Sequence, residues 1–163
     1  MKIAYSGIEG AFAHIAAGRV FPQEELISYG DFRSAYEAVE KGNCDYAVLP
    51  IENSYAGEVA QVSDLMFQGS LFLNGVYTLN VQQNLLGIKG AELKNVIQAI
   101  SHPQALEQCA KFLQEHKIQT VEAVNTARAA KQVAELGDKS VAAIAIRETA
   151  ELYGLEILAE GIN

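Results

Sequence analysis

The chain has 163 residues, half of them hydrophobic and a fifth charged, with 20 Asp and Glu against 12 Lys and Arg and no tryptophan. At about 100–200 residues per domain this is one domain or two small lobes with enough apolar side chains for a real core, which excludes a disordered chain. No apolar stretch approaches the ~20 residues of a membrane span, and a net charge of −8 with scattered basic residues excludes the long-range attraction to phosphate backbones that nucleic-acid binding relies on.

An anionic ligand therefore has to be held by local groups. The opening Met1-Lys2-Ile3-Ala4-Tyr5 reaches polar Ser6 and Gly7 too early for a secretory signal, so the expected compartment is the cytoplasm. Cys44 and Cys109 form neither a CxxC pair nor a cluster with the three histidines, which points to reduced, buried thiols and to no metal site.

In chain order, Lys2 to Tyr5 reads as a strand and Ala11 to Arg19 as a helix with Phe12, Ile15 and Ala16 on one face. Glu25 to Ser28 is a second strand. Asp31 caps a helix over Phe32 to Lys41, where Phe32, Ala35, Tyr36 and Val39 recur at helical spacing and Gly42 ends the run. Tyr46 to Ile51 is an almost unbroken apolar strand, which predicts burial on both faces. A helix from Glu58 to Gln68 closes at Gly69, and Leu71 to Gly87 is β-rich, part of it a crossover between lobes. The second half alternates strand Val96 to Ser101, helix Pro103 to His116, strand Gln119 to Ala123 and helix Thr126 to Leu136. Strand Val141 to Ala145, helix Arg147 to Tyr153 ending at Gly154, and strand Leu155 to Glu160 follow. The expectation is α/β with mainly parallel sheets, in a first lobe over 1–79 and a second over 80–163. Ligands of such sheets gather where strands end and helices begin.

Three of those loops carry unusual chemistry. Glu52, Asn53 and Ser54 set a carboxylate, an amide and a hydroxyl side by side after the third strand; a turn and helix cap would explain Asn53 and Ser54 but not the acid. Ser101 and Gln104 have capping-box spacing, while Gln104 and Gln108 share one face of the helix opposite Ala105, Cys109, Phe112 and Leu113. His102 reads as a turn residue. Asn125 or Thr126 caps the helix that follows the next strand.

The strings PIENSYAGEV, SHPQALEQCAKFL, NTARAAKQVAE and VAAIAIRETAELYGLEILAEGI together resemble the catalytic domain of prephenate dehydratase, in the same order and over nearly the whole chain. That resemblance implies two lobes of the type II periplasmic-binding-protein kind with a cleft between them, and conversion of prephenate to phenylpyruvate with loss of water and carbon dioxide. It implies no metal and no organic cofactor. It also implies catalytic roles for Glu52, Asn53 and Ser101, and contacts to prephenate or phenylpyruvate from Ser54, Gln104, Gln108 and Thr126. The last string is most similar to bifunctional chorismate mutase–prephenate dehydratases. The resemblance thus allows a fused chorismate mutase, an ACT regulatory domain and a homodimer in the parent protein, with no nucleic-acid or membrane partner. Two departures matter. The family's Gly-Pro-x-Gly-(Thr/Ser)-(Phe/Tyr)-Ser reads here Gly7-Ile8-Glu9-Gly10-Ala11-Phe12-Ala13, without the proline and both hydroxyls. The family's Thr-Arg-Phe motif follows the segment that here ends Gly161-Ile162-Asn163, so a chain extended through it is expected to turn over faster than these residues alone. The alternative is a two-lobed module that binds a small carboxylate without reacting it.

Overall fold

In the computed structural model, which describes residues 1–163, the chain forms two units, Met1–Leu79 and Asn80–Asn163. At the centre of the first lies β1 (Lys2–Ser6), paired in parallel with β2 (Glu25–Tyr29) on one side and β3 (Tyr46–Val48) on the other. Parallel neighbours need crossovers, which α1 (Phe12–Val20) and α2 (Phe32–Glu40) supply. Side chains of β1 alternate between the two helical layers. Ile3 and Tyr5 pack with Ala17 of α1, and Ala4 packs with Ala35, Ala38 and Cys44. Burying Ile3 contributes about 1.5–3 kcal/mol.

Several expectations are corrected here. The buried face of α1 is formed by Ala17 with Ala13, while Phe12 is exposed; two alanines four apart let the helix sit close to the sheet. The strand expected over Tyr46 to Ile51 ends at Val48 and is half-buried, because β3 is an edge strand with a neighbour on one side only. Glu58 is not helical. It pairs with Glu52 in a short hairpin of β4 (Glu52–Asn53) and β5 (Gly57–Glu58), so α3 (Ala60–Gln68) starts later and has no side-chain cap. At its far end Gly69 lies under the ring of Tyr36, whose hydroxyl accepts from the Leu71 N–H at 3.0 Å.

Asp31 does cap α2, accepting from the Ser34 N–H at 2.7 Å. Bonds from the Ser34 backbone and hydroxyl hold its carboxyl below the usual carboxylate range. A depressed folded pKa stabilises the fold above the ordinary carboxylate value, and that contribution is lost as pH falls through the depressed one. Asp31→Ala is therefore expected to lower the urea midpoint at neutral pH, and the gap to wild type narrows on acidification. A constant gap would show that the charge is irrelevant.

The second unit is a five-stranded sheet in the order β10 (Glu156–Ala159), β6 (Asn84–Gly87), β9 (Val141–Ala145), β7 (Gln98–Ser101), β8 (Gln119–Glu122). Only β6 runs against the other four, so the sheets of this α/β chain are mainly parallel. One face packs Leu85, Ala99 and Ile144 against α4 (Pro103–Gln108) and α5 (Ala110–Glu115). The other packs Leu86, Ile100, Ala143 and Ala145 against α6 (Thr126–Leu136) and α7 (Arg147–Tyr153). The strands buried on both faces are thus β9, all five residues of it, and its neighbour β6. Of the β-rich stretch expected over Leu71 to Gly87, only Asn84–Gly87 is a strand, since the preceding residues have no pairing partner. The helix expected over Pro103 to His116 is interrupted at Cys109, whose ψ of 7° leaves the helical range. Burial pushes the Cys109 thiol up to about 12.

Candidate active-site residues

Glu52, Asn53 and Ser54 do not sit at the end of a buried strand. They belong to the exposed β4–β5 hairpin, in which Glu52 pairs with Glu58 and Asn53 with Gly57. Two things shape this loop. Gly57 adopts a φ of 75°, which a residue with a Cβ rarely takes, and the Asn53 Oδ1 accepts from the backbone N–H groups of Tyr55 at 3.2 Å and Ala56 at 2.6 Å. Asn53 therefore turns the chain, as its residue type suggested, but it folds a hairpin instead of capping a helix. With Oδ1 held by the turn, the plane of the carboxamide is fixed and its Nδ2 donors point in a set direction. Glu52 is exposed.

In the second unit the capping box is replaced by a different arrangement. The cap of α4 is His102, whose Nδ1 accepts from the Gln104 N–H at 3.2 Å. Ser101 is the last residue of β7 and has no exposure; its hydroxyl donates to the Ile144 carbonyl at 2.7 Å and ties β7 to β9. Gln104 and Gln108 are both half-buried on α4. Asn125 caps α6 by accepting from the Arg128 N–H at 2.7 Å, which leaves Thr126 as the first residue of that helix, buried. An open depression of about 450 Å³ at the carboxyl end of β8 is lined by Pro103, Glu122, Ala123, Val124, Arg128 and Gln132. It places a guanidinium at the start of α6.

Gln83 and Asn84 lie at the start of β6, both almost wholly buried, and pattern reading passed over them. Their only signal was three consecutive amides, Gln82-Gln83-Asn84, directly before the apolar Leu85-Leu86. No group of three His, Cys, Asp or Glu side chains is arranged to hold a metal ion, and no helix is long and apolar enough to cross a membrane.

A family model described as prephenate dehydratase matches residues 3–163. Arogenate dehydratase/prephenate dehydratase 1 of Arabidopsis thaliana, a chloroplastic protein, is 40% identical over 163 residues, covering 100% of this chain and 42% of that protein. The chain thus spans well under two thirds of such relatives. Among solved structures, one described as GqqA, a novel type of quorum-quenching acylase, superposes with a TM-score of 0.91 at 33% identity, over 100% of this chain and 60% of that one. Prephenate dehydratase from Arthrobacter aurescens, solved in complex with L-Phe, gives 0.82 at 27% identity over 100% and 56%.

Proposed function

The chain belongs to the prephenate dehydratase family, and from that premise we propose that the protein carrying it converts prephenate, or its amino analogue arogenate, to the aromatic product with loss of water and carbon dioxide. The observation that carries this reading is the family match over residues 3–163. Fold alone does not choose the reaction, since the structure described as a quorum-quenching acylase shares it.

The chemistry asks little of a protein beyond placement. Prephenate has two carboxylates and a ring hydroxyl. One proton reaches the hydroxyl oxygen as its bond to the ring breaks. The electron pair of the ring carbon–carboxylate bond moves into the ring, and water and carbon dioxide leave a benzene ring behind. Nothing is oxidised by an outside agent, and aromatisation drives the step, so orientation and one proton donor suffice. Glu52 supplies the proton or orients Asn53, with Asn53 and Ser54 donating to substrate oxygens. The amides of Gln104 and Gln108 and the hydroxyl of Thr126 are assigned to carboxylate oxygens, while Ser101 keeps the strand edge in place. Arg128 adds a local cation for a doubly negative substrate in a chain of net charge −8.

The test is turnover of prephenate by the full-length protein, followed by phenylpyruvate absorbance, with and without a metal chelator. The expected result is turnover that the chelator leaves unchanged, with Gln104→Leu raising KM about tenfold through the lost amide contact. Tight binding of prephenate without turnover would replace this reading by the binding module.

A further inference from the structure

Gln83 immediately precedes β6 and is 2% exposed. Its backbone is fully engaged, the N–H donating to the Asn163 Oδ1 at 2.9 Å and the carbonyl accepting from the Ile162 N–H at 2.9 Å. One side-chain atom is not: Oε1 is the one buried side-chain nitrogen or oxygen in the chain that finds no hydrogen-bond partner. Leaving a buried acceptor unsatisfied costs about 1–3 kcal/mol, and native folds rarely tolerate it without a functional reason or a water. The neighbouring Asn84 is the contrasting case of a structural amide. Its Nδ2 donates to the carbonyls of Gln82 at 3.1 Å and Ala145 at 3.5 Å, and its Oδ1 accepts from the Gly161 N–H at 3.1 Å.

The place of Gln83 in the sheet is as informative as the isolation of its oxygen. Asn84 pairs with Ala145, the last residue of β9, so Gln83 lies just past the carboxyl ends of the strands that run together in this sheet. Ser101, the last residue of β7, is fastened to the same edge through the Ile144 carbonyl. That edge is where α/β sheets collect their ligands.

We propose that Gln83 contacts the substrate, its Oε1 accepting a hydrogen bond from an N–H or O–H of the bound molecule. The inference rests on the dehydratase reading above. Two donors have the required chemistry: the ring hydroxyl, common to prephenate and arogenate, and the ammonium group, which arogenate alone carries.

The experiment is steady-state kinetics of Gln83→Met in the full-length protein with each substrate, alongside thermal unfolding. Methionine keeps the volume and removes the carboxamide, the acceptor with it. The expected result is a fall in kcat/KM of about tenfold or more with at least one substrate and a Tm equal to or above wild type, because an unsatisfied polar group has been replaced by an apolar one. A fall with both substrates assigns the ring hydroxyl; a fall confined to arogenate assigns the ammonium. Unchanged kinetics with both would mean that Oε1 faces a buried water only and would overturn the inference while leaving the dehydratase reading intact, as would a loss of activity that merely follows a lowered Tm. A wild-type protein that neither binds nor converts either substrate would overturn both.

Discussion

Replacing Asn53 by alanine is expected to cut kcat/KM for prephenate about 100-fold, the scale on which a fixed hydrogen-bond donor acts on developing charge. The geometry allows the structural and chemical parts of that loss to be separated. Alanine removes both the acceptor that holds the Tyr55 and Ala56 N–H groups and the Nδ2 donors. Asn53→Asp keeps the acceptor and removes the donors. The aspartate variant should therefore keep the turn that alanine loses and still lose activity to the same order, in full-length protein assayed by phenylpyruvate formation and compared with alanine by thermal unfolding. Wild-type kcat/KM in the aspartate variant would mean that Asn53 only shapes the hairpin.

The largest effect on stability is expected at Gly69. A Cβ built there would lie 2.1 Å from the Tyr36 hydroxyl oxygen, 2.6 Å from its Cζ and 2.7 Å from the Leu65 carbonyl oxygen. The reason is not backbone strain, since its φ is −91°. Nor is the obstacle a flexible tip, because Tyr36 is buried in α2 and its hydroxyl is held by the Leu71 N–H. Overpacking of this kind costs about 1–3 kcal/mol, visible as a lowered urea midpoint with unchanged slope for Gly69→Ala. Adding Tyr36→Phe removes the nearest atom and should recover part of the loss, a coupling that a double-mutant cycle reads directly. A neutral Gly69→Ala would show that the ring does not pack on this residue.

How far the sequence carried the fold depended on whether a segment's signal was local. The helix Thr126 to Leu136, the strand Val141 to Ala145 and the helix Arg147 to Tyr153 lie where pattern and caps put them. Both helices end on a glycine: Gly137 and Gly154 take φ of 63° and 67°, which glycine permits without a steric penalty. Failures came where a neighbour decides. Tyr46 to Ile51 is as apolar as a central strand but lies at an edge, and nothing within those residues records how many strands flank them. Glu58 has helical propensity, yet pairing with Glu52 outweighs it. The same distinction holds for the candidate residues. Asn53 was legible as a turn former from its type and neighbours, whereas the bond from Ser101 to Ile144 joins residues 43 apart, and the orphaned oxygen of Gln83 exists only because of what is folded around it.

The reversed strand β6 also constrains the order of assembly. It is the first strand of its unit in the chain, yet its partners are β9 and β10, and the contacts that close its start join residues 61 to 80 positions apart. Such distant closures are slow. During synthesis Leu85 and Leu86 emerge long before anything can pair with them, and they present a bare apolar edge until nearly the whole unit is made. Shortening the chain within β10 would strip one flank of β6 for good, so such truncations should aggregate during expression before any defect in chemistry could be measured.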